Sequence, residues 1–144
     1  TIFFAFFLAW ADRRSATKQL TEMSLKQGML IGLCQCLALI PGTSRSGITM
    51  TTALALGFRR DVAAEFSFLL SIPLIGAAAS LKTLELMMAS QAVDWTSLVL
   101  GLLLSAVSAY SCITLFMNLI SRIGFMPFVF YRFALGILLF VVLW

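Results

Sequence analysis

Histidine is absent from the 144 residues, so this stretch offers no imidazole base, no histidine nucleophile and no histidine metal ligand. Charge is scarce as well. Charged residues make up 11% of the chain, where a soluble domain carries about 25%. Cysteine and proline occur three times each. Cys34, Cys36 and Cys112 lack metal-ligand spacing, and Cys34 and Cys36, two apart in an apolar stretch, point to different faces of a helix. All three are read as small buried hydrophobes. No run alternates over the roughly ten residues of a membrane-barrel strand. What remains is apolar: 61% hydrophobic residues and a mean hydropathy of +1.03. These values indicate an all-α integral membrane protein, with runs approaching the roughly 20 residues a spanning helix needs. The isoelectric point of 9.3 does not indicate nucleic acid, because the basic residues fall at the expected membrane edges.

The chain reads as a single transmembrane domain, 1–144. It enters at once the run Ile2 to Trp10, too short to span, without the basic leader or cleavage pattern of a signal peptide. Residues 1–11 are therefore expected to be the end of a helix whose beginning lies upstream. A polar stretch with Arg13, Arg14 and Lys18 follows. Residues 25–40 are apolar, rich in small residues, and stop at Pro41-Gly42; a second short apolar piece runs from Ile48 to Phe58. Two short pieces broken by Pro-Gly predict a re-entrant helix–loop–helix over 25–58. Non-helical backbone at membrane depth is tolerated only where protein or a water-filled cavity surrounds it, and broken segments of this kind mark sites near the midplane. Three transmembrane helices are predicted after it, at 62–88 with a kink at Pro73, at 96–120, and at 127–144. In the second, Gly101, Ser105, Ala109 and Cys112 form a small-residue stripe suited to close packing. Gly28 and Gly32 are read as a packing pair in the same way.

Charge placement supports re-entry independently. With 25–58 re-entrant, Arg13, Arg14, Lys18, Lys26, Arg59, Arg60 and Arg122 share one side, and the opposite loop 89–95 has no basic residue. The positive-inside rule makes the basic side cytoplasmic. A single crossing by 25–58 would separate Arg13 and Arg14 from Arg59 and Arg60 and erase most of the bias.

The segment Pro41-Gly42-Thr43-Ser44-Arg45-Ser46-Gly47-Ile48-Thr49 carries the chemistry. An arginine at membrane depth is costly and signals function by default. Arg45 can grip two oxygens of an oxyanion with its planar fork. Ser44, Ser46 and Thr49 can donate hydrogen bonds, with Thr43 beside them, and Gly42 and Gly47 let backbone approach. A helix starting near Gly47 would present its N-terminus to an anion. Stabilising charge on equatorial oxygens is most of what phosphoryl transfer asks of a protein. The segment holds no base, no metal carboxylates and no evident partner for a nucleophile. Arg45, Ser44 and Ser46 are thus the expected catalytic residues, and Gly42, Thr43, Gly47 and Thr49 the substrate-binding ones; no metal ligand is expected in this segment.

These residues resemble the PGxSRSxxT motif of the bacterial undecaprenyl-diphosphatases, the bacitracin-resistance proteins. Thr51 to Pro73 and Tyr131-Arg132 with Gly136 are similar to that family too. The family's glutamate-rich motif, with its nearby serine and histidine, is not found, so the chain resembles the C-terminal half of such an enzyme. The resemblance implies hydrolysis of undecaprenyl diphosphate to undecaprenyl phosphate and inorganic phosphate, which recycles the carrier for cell-wall synthesis and confers bacitracin resistance. It further implies one half of an inverted-topology repeat in the bacterial inner membrane. The active site would face the periplasm and use a divalent cation, Mg²⁺ or Ca²⁺, held mainly by the N-terminal half. The expected partners are the polyprenyl diphosphate lipid, membrane lipids and that N-terminal half; a homodimer is left open.

Plainer roles compete with these. Arg45 could satisfy helix C-terminal carbonyls, and Ser44, Ser46 and Thr49 could merely cap the following helix. Arg59 and Arg60 read as interfacial anchors. Glu65 is expected to pair with one of them, with metal binding as its alternative. Arg132 is read as snorkelling to the interface, with substrate contact as its alternative. The rival overall function is a polyprenyl-phosphate transporter or flippase that uses the same cradle without cleavage.

Overall fold

The computed structural model describes residues 2–13, 16–40, 42–88 and 94–143. Arg14, Pro41, the loop 89–93 and Trp144 lie outside the described residues. The described chain is helical, and its one β-type contact is an isolated bridge between Lys18 and Phe58. The helices are α1 (Ile2–Asp12), α2 (Leu25–Cys34), α3 (Arg45–Ala55), α4 (Arg60–Met88), α5 (Trp95–Ile123) and α6 (Met126–Leu143). A short 3-10 turn, Leu20–Glu22, precedes α2, and another, Gln35–Leu39, continues it. The single apolar run foreseen over 25–40 is therefore an α-helix that tightens before the Pro-Gly break.

α3 is the hub. Met50, Ala53 and Leu54 on it are buried in one cluster with Ala5, Leu8 and Ala11 of α1 and Val62, Ala63 and Ala64 of α4. Ile120 at the end of α5, Phe125, and Val129 of α6 complete the same cluster. Phe116 joins Phe68 and Phe128 edge-on, with centroids 5.7 and 5.2 Å away, so α4, α5 and α6 meet beside this core. Beyond that level the helices separate: residues 72–88 of α4 and 95–115 of α5 are exposed along their whole length.

α4 and α5, at 29 residues each, are long and apolar enough to cross a membrane, with mean hydropathies of 1.8 and 2.1 in their most apolar windows. α6 is shorter, at 18 residues. α4 continues through Pro73 as one helix. Asp94 caps α5, accepting from the Thr96 and Ser97 amides and the Ser97 hydroxyl. These bonds, those from Ser97 foremost, hold its carboxyl below the usual carboxylate range.

Three packing expectations need correction. Cys36 and Cys112 are exposed and Cys34 is half-buried, because their helices show those faces outward. The residues of the stripe, Gly101, Ser105, Ala109 and Cys112, are all exposed, and among the described residues a Cβ on Gly101 would have no neighbour within 4 Å. Gly28 does lie against Phe66, 3.6 Å from its would-be Cβ, but Gly32 faces open space.

The ends of the segment between α1 and α4 are tied together. The amides of Thr17 and Lys18 donate to the Gly57 carbonyl at 3.2 and 3.0 Å, and the Arg59 amide donates to the Lys18 carbonyl at 3.1 Å. Lys18 Nζ donates to the Leu56 carbonyl at 2.8 Å and lies over the Phe58 ring. At this neck α3 stops with a paired turn: Gly57 N bonds the Leu54 carbonyl and Phe58 N the Ala53 carbonyl, the double bond of a Schellman cap. Gly57 has φ +88°, a conformation costing an L side chain about 1–2 kcal/mol. Gly57→Ala is expected to lower unfolding stability by about that amount, read as a shift in the detergent-solubilised melting curve. An unchanged curve would mean that the cap bears no strain.

Candidate functional site

The cradle starts from the cap of α3. Ser44, in extended conformation, turns its Oγ to accept the Gly47 amide at 3.1 Å, while its carbonyl accepts the Ile48 amide. The helix begins two residues earlier than the sequence suggested, so Arg45 and Ser46 occupy its first turn. Their amides have no partner inside the helix by its geometry and carry its positive end. Ser46 Oγ lies 3.2 Å from Ser44 Oγ. Gly42, at φ +82°, turns the chain in ahead of them. Thr43 Oγ1 is buried with no hydrogen-bond partner among the described residues, a state costing about 1–3 kcal/mol unless something bonds it.

Arg132, 85 residues further along (132 − 47 = 85), reaches this point from α6. A Cβ added to Gly47 would sit 2.9 Å from Arg132 Nη1. The guanidinium thus lies against the backbone of the first turn, and a side chain at Gly47 would push it aside. Arg132 is half-buried, with its guanidinium turned to the start of α3. Ser44, Ser46, Gly47 and Arg132 together line a cavity of about 100 Å³, walled by Leu8, Met50, Phe116, Phe125 and Phe128. That volume matches about three water molecules, the scale of a single phosphoryl group. Apolar walls around one guanidinium, two hydroxyls and open amides strengthen each electrostatic contact to an anion.

The remaining expected site residues stand around this cavity without lining it. Arg45 is half-buried, and its guanidinium has no hydrogen-bond or ion-pair partner among the described residues. Thr49, 2% exposed, sits one turn deeper. Its Oγ1 is 3.2 Å from the Arg45 carbonyl, 3.0 Å from that of Ser46, and 2.7 Å from Ser67 Oγ. Glu65 does not pair with either arginine: Arg59 bonds Asp61, and Arg60 bonds Asp12. Sequence reasoning passed over Asp12 and Ser67; neither belongs to a local pattern that would have marked it.

A wider recess of about 450 Å³ opens at the other end of α3, among Asp12, Arg13, Arg59, Arg60, Asp61 and Ser121. Its chemistry is structural. Arg59 and Arg60 are neutralised there by Asp61 and Asp12, and Arg60 also donates to the last carbonyl of α1.

The model of the bacitracin resistance protein BacA matches residues 1–138. The chain belongs to the bacitracin resistance protein family. Its similarity to curated members of that family is high. It is 56% identical over 142 residues to the undecaprenyl-diphosphatase of Teredinibacter turnerae, covering 98% of this chain and 54% of the relative. The undecaprenyl-diphosphatase of Chromohalobacter salexigens is also 56% identical over 142 residues, with the same coverage. That of Hahella chejuensis is 55% identical over 136 residues, covering 94% of this chain and 51% of its own. The chain spans about half the length of the curated relatives it matches.

Among the described residues no group of three or more histidine, cysteine, aspartate or glutamate side chains could hold a metal ion. The cradle itself has hydroxyls and guanidinium groups but no carboxylate. Divalent Mg²⁺ and Ca²⁺ are held through carboxylate and carbonyl oxygens, so the residues present do not make a cation site.

Proposed function

We propose that this chain forms the anion-binding half of an undecaprenyl-diphosphate phosphatase, with Arg132 and Arg45 gripping phosphate oxygens at the start of α3. The observation that carries the proposal is the cavity of Ser44, Ser46, Gly47 and Arg132, which assembles an oxyanion cradle inside apolar walls. Family membership and the names of the relatives support the substrate. Ser44 Oγ and Ser46 Oγ, the first-turn amides and the guanidinium orient the diphosphate and stabilise charge that grows on its terminal phosphoryl oxygens. Arg45, Ser44 and Ser46 act on the reacting group, and Gly42, Thr43, Gly47 and Thr49 shape the loop around it. The unbonded Thr43 hydroxyl is one further donor for a bound phosphate. A base and the ligands of a divalent cation come from a second segment of the kind the longer relatives possess.

Re-entry of the segment 25–58 is part of this reading. The neck between Lys18 and Phe58 supports it, since both ends of the segment then lie at one interface. α3 has eleven residues and rises about 16 Å, half the roughly 30 Å of a hydrocarbon core. With its C-terminal end at the basic, cytoplasmic interface, its N-terminal cradle lies near mid-depth, opening to the periplasmic side of the bacterial inner membrane. The exposed faces of α4 and α5 suit lipid and a second, inverted half.

The test is orthophosphate release from undecaprenyl diphosphate in detergent with Mg²⁺. The full-length protein should turn over, and residues 1–144 alone should not. A folded full-length protein that leaves the diphosphate intact while still binding it would favour lipid transport. Turnover by residues 1–144 alone would disprove the need for a second segment.

A further inference from the structure

The buried hydroxyl pair of Thr49 and Ser67 joins the cradle to α4. Thr49 is 2% exposed and Ser67 6%, and their Oγ atoms are 2.7 Å apart. Back-bonding by a helical threonine is ordinary: Thr51 Oγ1 donates to the Gly47 carbonyl and Thr52 Oγ1 to that of Ile48. Thr49 differs in being met by a hydroxyl from a second helix. Ser67 differs from its helix neighbours in the same way. Ser71 and Ser80 return their hydrogens to carbonyls of α4 itself, whereas Ser67 Oγ has Thr49 as its partner among the described residues.

The hydrogen directions follow from the partners. Carbonyls only accept, so the single hydrogen of Thr49 goes to the Arg45 and Ser46 carbonyls, 3.2 and 3.0 Å away. The Ser67 contact must then use the Ser67 hydrogen. The order is Ser67 to Thr49 to the two carbonyls of the first turn. Those carbonyls belong to Arg45 and Ser46, the first two residues of α3, of which Ser46 lines the cavity.

We propose that Ser67 is a positioning residue of the cradle: acting through Thr49, it fixes the first turn of α3 and so the placement of Arg45 and Ser46. The inference rests on the phosphatase reading above and adds to it a residue on a different helix. Removing the Ser67 hydroxyl frees that turn to rotate while deleting no group that touches phosphate. The loss should therefore appear in turnover rather than in binding.

The test uses the full-length protein in detergent with undecaprenyl diphosphate. Ser67→Ala is expected to lower kcat about 10- to 100-fold, the range for a slight misplacement of a catalytic group, with KM within about twofold. Ser67→Thr, which keeps the hydroxyl, should recover most of the rate. Because the effect passes through Thr49, adding Ser67→Ala to Thr49→Val should cost little further rate, the non-additivity of residues acting as one unit. Wild-type kcat in Ser67→Ala, or losses that simply multiply in the double variant, would overturn the proposal while leaving the phosphatase reading intact. An inert wild type would sink both. Should Ser67→Ala fail to fold, Ser67→Cys takes its place: nearly the same size but a weak donor, it is expected to lose kcat, and wild-type kcat there would equally overturn the proposal.

Discussion

Arg45→Ala in the full-length protein is expected to cut phosphate release about 10²–10³-fold, the cost of removing one preorganised charge-stabilising group, without a matching loss of stability. The structure separates these two effects. The Arg45 guanidinium has no hydrogen-bond or ion-pair partner among the described residues, although the residue is half-buried. In the function proposed above, a bound phosphate would supply the partner that the folded chain does not. Since no folded contact is broken, the melting temperature should move no more than for a surface substitution, within about 0.5 kcal/mol of stability. Arg45→Lys should lose most of the rate as well, because a point charge cannot grip two oxygens at once. Arg132→Ala should resemble Arg45→Ala in rate, since its guanidinium lies in the cavity itself. Full turnover in either alanine variant would remove that arginine from the machinery.

Arg60→Ala is expected to do the reverse, lowering stability by about 2–4 kcal/mol while leaving the cradle chemically whole. Arg60 holds Asp12 with two parallel bonds, Nε to Oδ1 at 2.6 Å and Nη2 to Oδ2 at 3.1 Å. The Asp12 side chain is 1% exposed and that of Arg60 45%. Removing the arginine strands a buried carboxylate, and this stranding is what makes breaking such a pair costly. The exposed side of Arg60 keeps the expected loss toward the lower part of the range. Gly124 is part of the same arrangement: a Cβ there would lie 2.8 Å from Arg60 Cζ, so Gly124→Ala should weaken the pair by displacing it. Melting curves in detergent measure both. An Arg60→Ala protein as stable as wild type would show that water reaches Asp12 readily.

Local signals made much of this legible in the sequence. The Pro-Gly break located the start of α3 to within two residues, because glycine and serine at a helix entry act through adjacent backbone. Composition alone assigned the helical class, as the long apolar runs leave few other ways to satisfy backbone polar groups in lipid. Contacts between distant residues were not legible. Arg132 sits in a run with an ordinary snorkelling explanation, and only folding brings it onto Gly47. Glu65 was expected to pair with Arg59 or Arg60, yet the partner of Arg60 is Asp12, 48 residues back, a pairing that no local pattern announces. The small-residue stripe of α5 is a pattern, but a pattern cannot say which neighbour it packs against, and among the described residues all four of its members are exposed.

The neck at Lys18 and Phe58 bears on the order in which the protein is made. A ribosome must deliver Arg59 before the loop between them is fully tied, and the bonds of that closure and of the α3 cap use nothing later in the chain. Arg132 arrives more than seventy residues afterwards (132 − 59 = 73), on the last helix. A nascent chain halted before α6 therefore holds a closed loop with a finished α3 cap but no guanidinium over Gly47. Of the residues that line the cavity at Gly47, Arg132 is made last, so the walls that confine its guanidinium are synthesised before it.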